Sequence, residues 1–309
     1  MALGPTIGGL VSAWVGWRWI FLINLPACAM VAWGVPRLVG EERAVSPRKL
    51  DFAGMVLLTA ALCAVIEALL LARSSTTTLA GGLAAGLLLM ALFVAQQRRR
   101  EQAIFDPVVF AQPAVVGVGV LLFAVSIGFW AILVYLPLFL TGVFGWSSRT
   151  IGVALLCATL PMLVVPPLGG RLVNRVGWRW CFAMALVLVA MGNASLMVAA
   201  AGSAHQFAQI VFGMVAIGVG AALAHPQLSG AVVALVPAEM ASMASAVTIV
   251  ARQAGFALGI AVLGVLLDPA NPTGGFSWLF AAATVASLGG VAGGLLLLPR
   301  QATGQSIGR

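Results

Sequence analysis

Chemistry in this chain would have to come from very few side chains. Its only histidines, His205 and His225, are twenty residues apart. On one helix that separation is about 30 Å, too far for a shared metal. No HExxH stretch and no GxSxG elbow occurs, so neither a metallopeptidase helix nor an exposed serine nucleophile is encoded. Cys28, Cys63, Cys157 and Cys181 stand singly in apolar stretches without CxxC spacing. They read as small packing residues, not as thiolate ligands or disulfide partners. The expectation is no catalytic residue, no metal site and no cofactor.

Two charges lie well inside apolar runs: Arg252 in residues 241–267 and Glu67 in residues 51–72. A guanidinium at the centre of a membrane helix costs about 2.5–3.5 kcal/mol even on insertion scales. Arg252 should therefore face other helices or a watery cavity, unless its helix starts earlier and lets it snorkel to an interface. Glu67 could exchange a proton within the membrane, or lie near the outer boundary beside Arg73. Gly4, Gly8 and Gly9 share one helical face, which permits close approach of another helix, and Pro5 allows a bend. Generic tight packing is the plainer reading of that face. Between Gly170 and Arg179, glycines permit a turn that displays Arg171, Arg175 and Arg179. These cations could latch onto helix C-termini or acidic groups, or simply anchor the loop. Phe129, Trp130 and Tyr135 could line a cavity for an apolar cation, or face lipid. Gly255/Gly259 and Gly289/Gly293 have the spacing of helix-packing seams.

The elements that position these residues follow from composition. Hydrophobic residues make up 62% of the 309 residues and charged ones 8%, against roughly 25% charged in a soluble domain. Mean hydropathy is +1.10. Nine runs reach membrane-spanning length: 18–39, 51–72, 79–95, 114–140, 150–169, 179–200, 206–226, 241–267 and 276–298. A shorter one, 1–13, reads as the end of a further helix. Prolines at 137, 161, 166 and 167 mark candidate hinges. Twelve of the sixteen cations fall in alternate connections, after residues 36, 95, 169 and 299, while Arg18, Arg73 and Arg149 occupy the opposite set. The positive-inside rule then places the C-terminus in the cytoplasm. Tryptophans 17, 19, 146, 178 and 180 sit at span ends, as interfacial rings do. The net charge of +8 is spread over short connectors rather than one aromatic-interleaved face, which argues against nucleic-acid binding.

Four stretches carry a family resemblance. Gly4-Pro5-Thr6-Ile7-Gly8-Gly9, followed by Gly16-Trp17-Arg18-Trp19-Ile20-Phe21-Leu22-Ile23-Asn24-Leu25-Pro26, resembles the fifth and sixth helices of the major facilitator superfamily. The closest likeness is to its fourteen-span drug:proton antiporter branch, whose antiporter motif the first element resembles. Leu50-Asp51-x-x-Gly54 looks like the start of that branch's extra helix pair. The stretch from Gly170 to Arg179 is similar to the superfamily's cytoplasmic loop motif, with Asn174 where Asp is usual. Val236-Pro237-x-Glu239-Met240-Ala241-Ser242, leading to Arg252-Gln253-x-Gly255, is similar to the loop and penultimate helix of the branch.

The resemblance implies an all-α membrane protein, a major-facilitator-type bundle of nine full transmembrane helices plus the end of a tenth at the N-terminus. Residues 1–39 would be the remnant of an N-terminal six-helix half. Residues 40–113 would be two extra helices with cytoplasmic loops, and 114–309 a C-terminal six-helix half. The implied function is proton-coupled efflux of small amphipathic compounds across a bacterial cytoplasmic membrane, with substrate, protons and lipid as partners. The antiporter motif would help control closure of the pathway. The resemblance also implies roughly four and a half helices ahead of residue 1, needed to complete a two-half cavity. The second reading is a non-transporting remnant, or a partner of that missing half. An intramembrane enzyme is disfavoured by the histidine spacing and absent motifs.

Overall fold

The computed structural model describes residues 8, 11, 14–16, 18–38, 51–72, 75–100, 112–202, 205–237 and 240–299 (at 242 the backbone only). Among the described residues there is no strand. That is what lipid demands: with no water to satisfy a backbone N–H or carbonyl, an apolar segment closes its hydrogen bonds on itself. The elements are α1 (Arg18–Leu38), α2 (Phe52–Leu70), α3 (Thr76–Arg98), α4 (Pro113–Phe144), α5 (Ser148–Val164), α6 (Pro166–Ala200), α7 (Gln206–Ala234), α8 (Ala241–Val265) and α9 (Pro272–Leu297).

All nine expected runs become helix, and eight are long and apolar enough to cross a bilayer. The run 150–169 is the exception in form. It is cut into Ser148–Ala154, Leu156–Thr159 and Pro161–Val164 before joining α6. Pro161 and Pro166 each open a new piece, where a missing N–H breaks no hydrogen bond.

Within α6 the expected loop from Gly170 to Arg179 contracts to a single residue. Residues 166–176 and 178–200 are both helical and meet at Gly177, with φ +79° and ψ 166°. Only glycine adopts that conformation without strain. The chain doubles back there, bringing the Cys181 thiol to 3.9 Å from the Gly169 carbonyl.

Helices α4, α6, α7, α8 and α9 make the core. Phe129, Phe139, Phe182 and Phe280 are fully buried in it, and Phe139 lies 5.0–5.3 Å from the rings of Phe144, Phe276 and Phe280. Lipid tails are as apolar as leucine, so contact density and backbone approach hold such helices together. Gly192 and Gly213 let α6 and α7 touch backbone to backbone, and Gly218 sits against the Ala158 carbonyl of α5. Of the glycine pairs singled out by spacing, Gly255 and Gly259 both meet α4. Gly293 meets Val120, but the α-carbon face of Gly289 has open space, and the seam continues through Gly290 and Gly294.

The remaining helices are more peripheral. α2 and α3 pack on each other, with Gly82 against Ala68 and Gly86 against Val65, and α2 also touches α8. α1 has no buried residue and turns large side chains such as Phe21, Met30 and Trp33 outward.

Replacing Gly177 by alanine should cost about 1–3 kcal/mol, the strain of a non-glycine residue in that region. Gly81→Ala, on a helical site with open space around it, should be neutral or gain up to about 1 kcal/mol. Thermal unfolding of the two purified variants checks both signs.

Candidate functional site

Residues Ser126–Ala131 wind the middle of α4 as a π-helical turn. A wide turn of this kind displaces the regular hydrogen-bond ladder and is frequent at functional sites. Here it is held from two sides. From α6, the Asn193 side-chain amide donates to the Gly128 carbonyl at 2.9 Å and to the Val189 carbonyl at 3.0 Å. From α4 itself, the Ser126 hydroxyl donates to the backbone carbonyl of Arg252 on α8 at 3.1 Å. Gly255 fits α8 against Phe123 and Ser126, and Gly259 fits it against Ile127 and Ala131. Further along, the Tyr135 hydroxyl donates to the Ile260 carbonyl at 2.6 Å. The wide turn and α8 are thereby locked in register.

That register sets the place of Arg252, the twelfth of 25 residues in α8. It is half-buried at mid-helix, and its Nη1 lies 3.4 Å from Nε2 of His225 on α7. Because guanidinium only donates, the contact uses an imidazole lone pair at Nε2. The His225 ring stands edge-on to Trp130 of the π turn at 5.6 Å, and Trp130 to Phe129 at 5.1 Å. The Trp130 indole nitrogen is buried with no hydrogen-bond partner among the described residues. Arg252, His225 and Trp130 thus form one cluster contributed by three helices. Beside it, an apolar groove of about 670 Å³ runs between α4, α8 and α9, with Phe123, Ile127, Thr248 and Ala251 in its wall.

Only part of this was expected from the residues. Arg252 is inside the bundle, as its cost in lipid required. Of the three aromatics, Phe129 is fully buried and Tyr135 is tied to α8, so only Trp130 faces the cluster. Glu67 is exposed on α2, one turn from its end, and is not brought to Arg252; Arg73 lies outside the described residues. Gly4, Pro5 and Gly9 are also outside them, while Gly8 is helical with nothing near its α-carbon face. In the loop motif, Arg171, Asn174 and Arg175 are exposed and Gly170 is half-buried against Gln227. Arg179 is half-buried with its Nε unpartnered. Among the described residues none of these three arginines meets a carboxylate. The importance of His225 and Asn193 was missed. The single amide side chain within the run 179–200 was the available signal for Asn193.

A second polar centre clamps the ends of α2 and α3. Asp51, 3% exposed, caps α2 by accepting from the Gly54 N–H at 3.0 Å. It also accepts from Gln96 at 2.9 Å and Gln97 at 2.7 Å, and pairs with Arg100 at 3.3 Å. Burial alone would push its pKa up, but the Gly54 N–H, the Gln97 and Gln96 amides and the Arg100 charge outweigh burial. The carboxyl is held below its ordinary value.

These helices define a multi-pass membrane protein whose core is a compact helix bundle. The family model described as Major Facilitator Superfamily matches residues 118–308. The chain is similar to the multidrug resistance protein Stp of Mycobacterium tuberculosis, at 30% identity over 268 residues, 85% of this chain and 49% of that protein. It is similar to the tetracenomycin C resistance and export protein of Streptomyces glaucescens, at 30% identity over 271 residues, 86% and 50% of the two chains. The multidrug transporter protein MdtP of Bacillus subtilis matches at 22% identity over 270 residues, again 86% and 50%. The chain belongs to the major facilitator superfamily. It spans about half the length of the curated relatives it matches.

Two outcomes follow from the polar contacts. A carboxyl with a depressed folded pKa adds stability that is present above its unfolded value and lost as pH falls through the folded one. The α2–α3 clamp should therefore hold at neutral pH and loosen below about pH 4, whereas Asp51→Ala should loosen it at every pH, by about 1–3 kcal/mol. Hydrogen exchange of the α2 N-terminal amides reports both. Asn193→Ala, which removes the side-chain bond to the Gly128 carbonyl, should lower thermal stability by about 0.6 kcal/mol and by no more than ~1.7 kcal/mol, the mean and maximum for hydrogen bonds between membrane helices.

Proposed function

We propose that this protein works in the efflux of small amphipathic compounds across the bacterial cytoplasmic membrane, driven by proton entry. The observation that carries the reading is the Arg252–His225–Trp130 cluster, a charged site at mid-helix where three core helices converge. Intramembrane charges of this kind mark substrate or ion pathways, and transporters of two-half architecture bind near the midplane where the halves meet. The relatives named for multidrug resistance and export support the same reading.

In this reading residues 114–309 are one half of the transporter and 40–113 an added pair, with 1–39 belonging to the other half. The Arg98–Arg100 and Arg171–Arg179 ends face the cytoplasm together with the C-terminus, as their charge requires. The segmented α5 and the turn at Gly177 supply places where the bundle can flex as the halves rock. The exposed arginines around that turn are free to meet helix C-termini in one state of the cycle and release them in the other.

Accumulation of a fluorescent amphipathic dye by bacteria producing the protein tests the proposal. Efflux should lower accumulation, and a proton uncoupler should restore it. Arg252→Ala at equal membrane abundance should reduce the efflux rate about tenfold, equivalent to ~1.4 kcal/mol. Efflux that ignores the uncoupler would remove proton coupling from the account, and wild-type rates in Arg252→Ala would remove the site.

A further inference from the structure

Among the described residues, no carboxylate faces the donors gathered at the π turn. The Arg252 guanidinium has only a 3.4 Å contact to His225, and the Trp130 indole N–H is buried without a partner among the described residues. Both groups only donate. An uncompensated cation among apolar helices and an orphaned buried N–H are each unfavourable.

The described carboxylates lie elsewhere. Asp51 is held in the α2–α3 clamp. Glu67 is exposed on α2. Asp268 accepts from the Ala270 N–H in the turn after α8. Next to the donors stands aromatic and apolar surface. Trp130 lies against Phe129, and the groove wall includes Ala251, adjacent to Arg252, and Ile127, three residues before Trp130. Donors on one side and apolar wall on the other describe the complement of an amphipathic anion. A cationic compound would be repelled at the same position.

We propose that Arg252 and Trp130, with His225 steadying the guanidinium, bind the ionised oxygen of a small aromatic acid, a carboxylate or phenolate, whose ring rests on the groove wall. A planar guanidinium matches a carboxylate through two parallel hydrogen bonds, and the orphaned indole N–H would add a third once the ligand opens the contact that buries it. The proposal rests on the transport reading of this site and names its substrate class.

Equilibrium dialysis of the purified full chain in detergent tests it with three probes of one shape: 1-naphthoate, 1-naphthamide and 1-naphthylmethylammonium. The anion should bind about tenfold tighter than either of the others. Arg252→Gln should reduce naphthoate to the level of the amide, and Arg252→Lys should retain an intermediate affinity because it keeps the charge without the fork. Trp130→Phe, which removes one N–H and keeps the ring and the charge, should weaken naphthoate about threefold relative to the amide. It decides the matter if Arg252→Gln does not stay monodisperse. Equal affinity for the three probes, or an anion preference that survives both Arg252→Gln and Trp130→Phe, overturns the proposal. Dialysis needs no gradient, so naphthoate binding without efflux would count against the transport reading alone. Efflux without anion preference would count against this site alone.

Discussion

A bilayer offers polar groups no water, and every feature of this structure answers to that. The main chain is helical wherever it crosses, because a helix is the open-ended form that satisfies its own N–H and carbonyl groups. Where the helix is disturbed, side chains from neighbours repair it. The π turn of α4 is tolerated because Asn193 reaches the Gly128 carbonyl and because α8 closes over it through Gly255 and Gly259. Arg252 is tolerated because the same closure brings it to His225. The polar residues of the core form a chain of dependence that begins with one widened turn.

The chain has two kinds of polar centre. The Asp51 clamp is saturated: an acid meets a backbone N–H, two amides and a guanidinium, and its role is to hold two helices together. The Arg252 cluster has donors in excess and a groove beside it. Saturation suits a joint, and unmet donors suit a site that exchanges ligands. The contrast is why Arg252 is the charge proposed to act in transport, whereas Asp51 ties two helices together.

Much of the fold was legible because hydrophobic run length has a direct physical meaning in lipid. All nine runs became helix, and Arg252 was placed inside the bundle from its cost alone. What escaped was set by tertiary contact. Nothing local in Ser126–Ala131 announces a π turn, since its origin lies in the fit to Asn193 and α8. His225 looked inert because it was weighed only as a metal ligand against His205, while its partner came from another helix. The loop around Gly177 was drawn too long because arginines and glycines read as connector, although helix continues to within one residue of the reversal. Phe129 and Tyr135 were grouped with Trp130 by proximity in sequence, yet the wide turn points only Trp130 toward the cluster.

The central claim is that the Arg252 guanidinium stays at the π turn in a bilayer and does not reach out to the lipid headgroups. Solid-state NMR of labelled protein in phospholipid membranes measures this directly. The account predicts a through-space correlation between the Arg252 guanidinium nitrogens and the His225 imidazole, with none to lipid phosphorus. A strong guanidinium–phosphorus correlation with no histidine contact would show a snorkelling arginine and contradict the account.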